Sequence, residues 1–111
     1  MGRGESVSRI IGRVEISEGA HTENSEIRGP VSIAADCLIR NSFIGPYTSI
    51  GRETIIENSS VEYSVILNNS HIRDIQHLAD SIIGRNVEVV RQEQEFEAAR
   101  LFIGDYAKVE L

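Results

Sequence analysis

Cysteine occurs once in this 111-residue chain, at Cys37, so no internal disulfide can form and a reducing cytoplasm suits it. Apolar runs are short. None approaches the length of a bilayer span, and the opening MGRGESVSR has no apolar stretch that could serve as a secretory signal. Basic residues are few and scattered: 11 Lys and Arg against 17 Asp and Glu leave a formal net charge of −6. That balance excludes nucleic acid and anionic membrane as expected partners, because no basic run is available to neutralise phosphates. Neither GxGxxG nor GxxxxGK[ST] occurs, so no phosphate-cradling loop of those kinds is expected. Leucine is also scarce, with five Leu against sixteen Ile and nine Val. A β-branched apolar set favours strands over helices. With 41% hydrophobic and 25% charged residues, the chain has the make-up of one ordinary folded domain.

What the chain has is a period. Asn-Ser pairs stand at Asn24-Ser25, Asn41-Ser42 and Asn58-Ser59, each 17 residues after the last. Large aliphatics keep the same interval: Ile27, Ile44 and Val61; Ile33 and Ile50; Ile39 and Ile56. Within a unit they step by six, six and five residues. A fixed period of this kind marks a solenoid. Six residues suit one short strand and a corner, with the aliphatic residue inward and its neighbours outward. Four places after it comes a small residue: Ala20, Val31, Cys37, Thr48, Thr54 or Val87. The count starts at Ile10, Ile16 and Thr22 and continues through Leu67, Ile72, Leu78, Ile83 and Val89, with Ile66 as the alternative to Leu67. Ile72 is preferred to Arg73, which a strict 17-residue step would place inside. Fifteen sides, or about five three-sided turns, then span residues 10–89.

Gly12, Gly19, Gly29, Gly45, Gly51 and Gly84 are expected to bend the chain at corners, together with several Asn and Asp, while Pro30 and Pro46 fix φ at one of them. Residues 1–9 read as a flexible leader. Residues 90–111 read as a charged link, helical or looped over 90–100, followed by a returning strand that covers the last open edge of the prism.

The aliphatic-Gly-x-x-small pattern around a three-sided coil resembles the hexapeptide-repeat proteins, whose fold is the all-β, single-stranded left-handed parallel β-helix; the hand is what the resemblance implies. RGPVSI, NSFIGPYTSIG, the VEYSVIL run and the closing SIIGRNVEVV and RLFIGDYAKVEL are similar to the C-terminal domain of long-form glucose-1-phosphate thymidylyltransferases, and the resemblance runs from about Ile11 to Leu111. Residues 92–99 depart from that family, which carries more basic residues and proline there. The resemblance implies an assembly domain forming a homo-oligomer, with a trimer favoured. It implies an N-terminal catalytic domain holding the Gly-rich loop, the catalytic lysine and Mg²⁺-binding acids, and a cytoplasmic setting. No position here matches those motifs, so no catalytic, cofactor-binding or metal residue is carried over. The alternative from another functional class is a small standalone acyltransferase of the same fold.

Several residues are candidates for chemistry by type. Cys37 occupies a small-residue slot and reads as a buried structural thiol. Ser25, Ser42 and Ser59 read as a stacked hydroxyl ladder, since no histidine lies at matched spacing to activate them. Relatives in fold use a histidine base or a three-histidine zinc site, but His71 and His77 are six apart and His21 lies 50 residues before His71, a spacing that assembles no site within the chain. Glu93, Glu95 and Glu97 read as a solvated face, Glu57 and Glu62 as corner carboxylates. Tyr47, Tyr63 and Tyr106 fall at outward positions, as interface anchors or ordinary surface.

Overall fold

In a computed structural model of the chain, the described residues are 8–90, 102–106 and 108–110. They form strands of two or three residues with no helix among them, so no described segment is a helix long and apolar enough to cross a membrane. The strands stack into three parallel sheets, which are the three faces of a β-solenoid of about five turns. The first face holds Arg9–Ile11, Glu26–Arg28, Phe43–Ile44, Ser60–Glu62 and Leu78–Ala79. The second holds Val14–Ile16, Val31–Ile33, Thr48–Ile50, Val65–Ile66, Ile82–Ile83 and Phe102–Ile103. The third holds His21–Glu23, Leu38–Arg40, Ile55–Glu57, His71–Arg73, Glu88–Val90 and Lys108–Glu110. Each strand pairs only with those one turn before and after it.

This register stacks like on like. Ile27, Ile44, Val61 and Leu78 form one column. Ile33, Ile50, Ile66 and Ile83 form the second, and Ile39, Ile56, Ile72 and Val89 the third. All are at most 1% exposed, and with Val31, Cys37, Ile75 and Val87 they form the core. The inward assignment of Leu67 is corrected: Ile66 pairs with Ile50 and is 1% exposed, whereas Leu67 is 39% exposed. The physical reason is a corner one residue shorter. Gly45, Pro46 and Tyr47 make the bend after Ile44, but only Glu62 and Tyr63 make the corresponding bend after Val61, and the Tyr63 amide still reaches the Pro46 carbonyl at 3.0 Å. The missing residue returns at Gln76-His77, so that Leu78 again meets Val61. Ile10 and Ile16 hold the inward register but stay 50% and 39% exposed, because no described coil lies beyond the first turn.

The corners also differ from expectation. Left-handed backbone is supplied mostly by Asn and Asp, as at Asn24, Asn41, Asn58 and Asp74 (φ 49° to 60°), and among the described glycines only by Gly12 and Gly19. Asn and Asp tolerate this region better than other non-glycine residues. Gly51 and Gly84 serve another purpose: a Cβ on Gly51 would lie 2.8 Å from the backbone of Leu67 and Asn68 in the next coil, and one on Gly84 would lie 2.7 Å from the backbone of Gly104. They are clearance positions between stacked turns.

The leader falls largely on residues 1–7 and the link conformation on 91–101, both outside the described residues. Beyond the link, Phe102–Ile103 pairs with Ile82–Ile83 and Lys108–Glu110 with Glu88–Val90. Between these strands Asp105 accepts the Arg85 backbone N–H at 2.7 Å and its guanidinium at 2.8 and 3.2 Å. The backbone and side-chain hydrogen bonds from Arg85 hold the Asp105 carboxyl below the usual carboxylate range.

Candidate functional site

The serine ladder is present and closed. Ser25, Ser42 and Ser59 are buried, and each Oγ donates at 2.8 Å to the carbonyl two residues before it: Glu23, Arg40 and Glu57. Each also accepts the backbone N–H of the next coil, from Ser42, Ser59 and Ile75, at 3.1 to 3.2 Å. The hydroxyls satisfy amides that the left-handed corner turns away from the regular sheet pattern. Their donor is committed and no base adjoins them. Ser64 plays the same part at another corner, donating to Glu62 and accepting from Ser81. Cys37 belongs to this class as well. Its Sγ donates to the Gly51 carbonyl at 2.9 Å, and burial pushes the thiol pKa up, away from the thiolate that nucleophilic chemistry needs.

Two hydroxyls break the rule, Ser8 Oγ at the open first coil and Thr48 Oγ1 within the stack. Thr48 Oγ1 is buried without a hydrogen-bond partner, although the residues before and after it in its column are Val31 and Ser64. An unpaired buried hydroxyl costs about 1–3 kcal/mol. Thr48→Val should therefore raise the melting temperature or leave it unchanged. Ser42→Ala, which strands the Ser59 amide while the Arg40 carbonyl keeps the Asn58 N–H, should lower stability by about 1–3 kcal/mol. Comparative thermal melts check the pair, and a Thr48→Val variant less stable than Ser42→Ala would refute the assignment.

The histidines are dispersed. His21 is exposed on the third face. His71 Nε2 lies 3.2 Å from Glu57 Oε1 on that face, and His77 Nε2 lies 2.7 Å from Glu62 Oε2 near the first. Glu57 also accepts from Arg40, which reaches Glu23 in turn, both at 3.3 Å. These are partly exposed surface pairs of small energetic weight. The described residues bring together no group of three His, Cys, Asp or Glu side chains able to hold a metal ion. Sequence reasoning missed both His–Glu pairs, because they join residues 14 and 15 apart and the 17-residue repeat does not flag that spacing. The asparagine amides that bond along a corner, Asn24 to Asn41 at 2.7 Å, were visible in the Asn-Ser period but not read from it.

Depressions on the described surface do not coincide with the histidines. A groove of about 730 Å³ runs along the Asn24, Asn41 and Asn58 corner beside Phe43, and a hollow of about 250 Å³ lies beside Tyr47, Pro30 and Ser32. Tyr47 and Tyr63 are exposed at left-handed corners with rings stacked 5.6 Å apart at 21°, and Tyr106 stands exposed at another corner. Glu93, Glu95 and Glu97 lie outside the described residues.

No protein-family model matches the chain. Individual proteins do. The chain is 42% identical over 102 residues to a glucose-1-phosphate thymidylyltransferase of Streptomyces antibioticus, a match covering 92% of it. The chain is homologous to one segment of the glucose-1-phosphate thymidylyltransferases. A second such enzyme, from Streptomyces griseus, is 36% identical over 104 residues, or 94% of the chain. The chain spans 29% of the length of each of these thymidylyltransferases. The kinship expected from the hexapeptide segments is therefore borne out, as kinship to one part of much longer enzymes.

Proposed function

We propose that this chain is the C-terminal assembly domain of a cytoplasmic glucose-1-phosphate thymidylyltransferase, which joins dTTP and glucose-1-phosphate into dTDP-glucose and pyrophosphate. An attached N-terminal domain carries the catalysis. The observation that supports this reading most is the match of nearly the whole chain to three-tenths of such enzymes. The chemistry of the side chains supports it too. Nucleotidyl transfer depends on donors and a divalent metal arranged around the phosphates. Here the ladder hydroxyls of Ser25, Ser42 and Ser59 and the Cys37 thiol are committed to backbone bonds, and the described acids converge on no common point. Mg²⁺ accordingly belongs to the attached domain. The solenoid presents flat faces through which copies associate, and a trimer is the favoured ring.

The purified 111-residue chain should release no pyrophosphate from dTTP and glucose-1-phosphate with Mg²⁺. Release above background that chelation abolishes would overturn this reading. The standalone acyltransferase alternative gains nothing from the geometry, since His71 and His77 face different carboxylates on different sides of the prism.

A further inference from the structure

We propose that the second face seats a second copy of this chain, around Val65 and Ile82. The inference rests on the assembly reading above and names the surface that assembly uses.

Beyond the open first coil, the large apolar side chains left exposed are not spread around the prism. Val65 and Ile82 project from the middle of the second face at 40% and 48% exposure. Leu67 and Tyr106 flank them at one corner and the stacked Tyr47 and Tyr63 at the other. The outward row of this face reads Glu15, Ser32, Ser49, Val65 and Ile82, and its one charge sits in the open first coil. The other two faces are built differently. The first carries Arg28 and Glu62 outward, and the third carries the Glu23–Arg40–Glu57 chain together with Arg73 and Glu88. Covering either of those would strip water from guanidinium and carboxylate groups, at a cost that their mutual attraction does not reliably recover. Covering the second face removes water from methyl groups and rings.

Charge chooses the occupant. The chain carries a net charge of −6, so copies repel overall, and the surface through which they can approach is the uncharged one. A charged peptide would find no countercharge in the row from Ser32 to Ile82. A second copy brings the same uncharged, one-residue-per-strand relief, and an apolar centre ringed by aromatic corners is the make-up of an interface core. With axes parallel, as in a closed ring, the Val65 and Ile82 tiers of neighbouring copies fall at the same height.

The test is light scattering after size exclusion on the full chain, across a concentration series, for the wild type, Val65→Asp/Ile82→Asp, and an Arg28→Asp/Arg73→Asp control on the other faces. Circular dichroism verifies folding. The milder Val65→Ser/Ile82→Ser variant, which repeats the chemistry of Ser32 and Ser49, stands in should the aspartates unfold the chain. We expect an oligomeric wild type and control, and a monomeric second-face variant whose dissociation constant rises at least about a hundredfold, as loss of two central contacts produces. A folded second-face variant that keeps the wild-type mass would overturn the proposal and leave the assembly reading standing. A monomeric wild type would overturn both.

Discussion

Ile44→Asp should leave the chain largely unfolded at room temperature. Ile44 is 0% exposed and sits in register between Ile27 below and Val61 above. Its loss removes a buried aliphatic side chain, worth about 2–5 kcal/mol on truncation. The carboxylate that replaces it has only methyl groups for company in that column, so it must be buried ionised or take up a proton. Either course adds a few kcal/mol. The sum is on the order of the entire stability of a small domain. Arg52→Asp, at an exposed corner eight positions later, should change stability by no more than about 0.5 kcal/mol. Chemical denaturation of both variants checks the contrast, and matching midpoints would mean that the inward columns are wrongly assigned.

Gly51→Val is the second large effect, and it arises from the backbone rather than from the core. The Cβ of any residue there would stand 2.8 Å from the Asn68 nitrogen and the Leu67 carbonyl carbon, and 2.4 Å from Asn68 Oδ1. The amide of Asn68 could swing aside, but the backbone could not without parting two coils, since the Gly51 N–H bonds the Ile66 carbonyl at 2.7 Å. Overpacking of this kind costs about 1–3 kcal/mol and more where backbone must move. A β-branched residue adds bulk in the same gap. We expect a loss of about 3 kcal/mol, read from the midpoint of urea unfolding. Gly104→Val is the control, because nothing lies within 4 Å of a Cβ there. Equal losses at the two sites would show that conformational freedom, and not clearance, is what Gly51 provides.

The columns were legible because inward residues repeat in kind: Ile27, Ile44 and Val61 announce one another at 17-residue intervals. The same logic made the serine ladder readable. It failed where the interval changed. Between Ile50 and Ile66 the turn has 16 residues, and Ile66 and Leu67 are both aliphatic, so hydrophobicity alone could not choose between them. Only the register of Tyr63 on Pro46 does so. Glycine was legible as a corner residue but not as a spacer, since sequence shows what a residue permits and not what stands above it. What Ser42 and Cys37 do was not legible from motifs, because a residue type does not show that its hydrogen or lone pair is already committed to backbone groups of its own and the next coil.

The 17-residue register has a consequence for how the chain reaches its fold. Each strand pairs with the strand one turn away, so the loops that must close are short and nearly equal, from the Ile10–Ile27 pairing to the Ile72–Val89 pairing. Closing one loop of that length costs about 2.5 kcal/mol of chain entropy beyond a constant, and within this range no later closure costs more than the first. Nothing in the described structure joins the two ends. Folding can therefore begin on any adjacent pair of turns and spread to its neighbours. During synthesis, each new turn that clears the ribosome finds its docking surface already made by the turn before it.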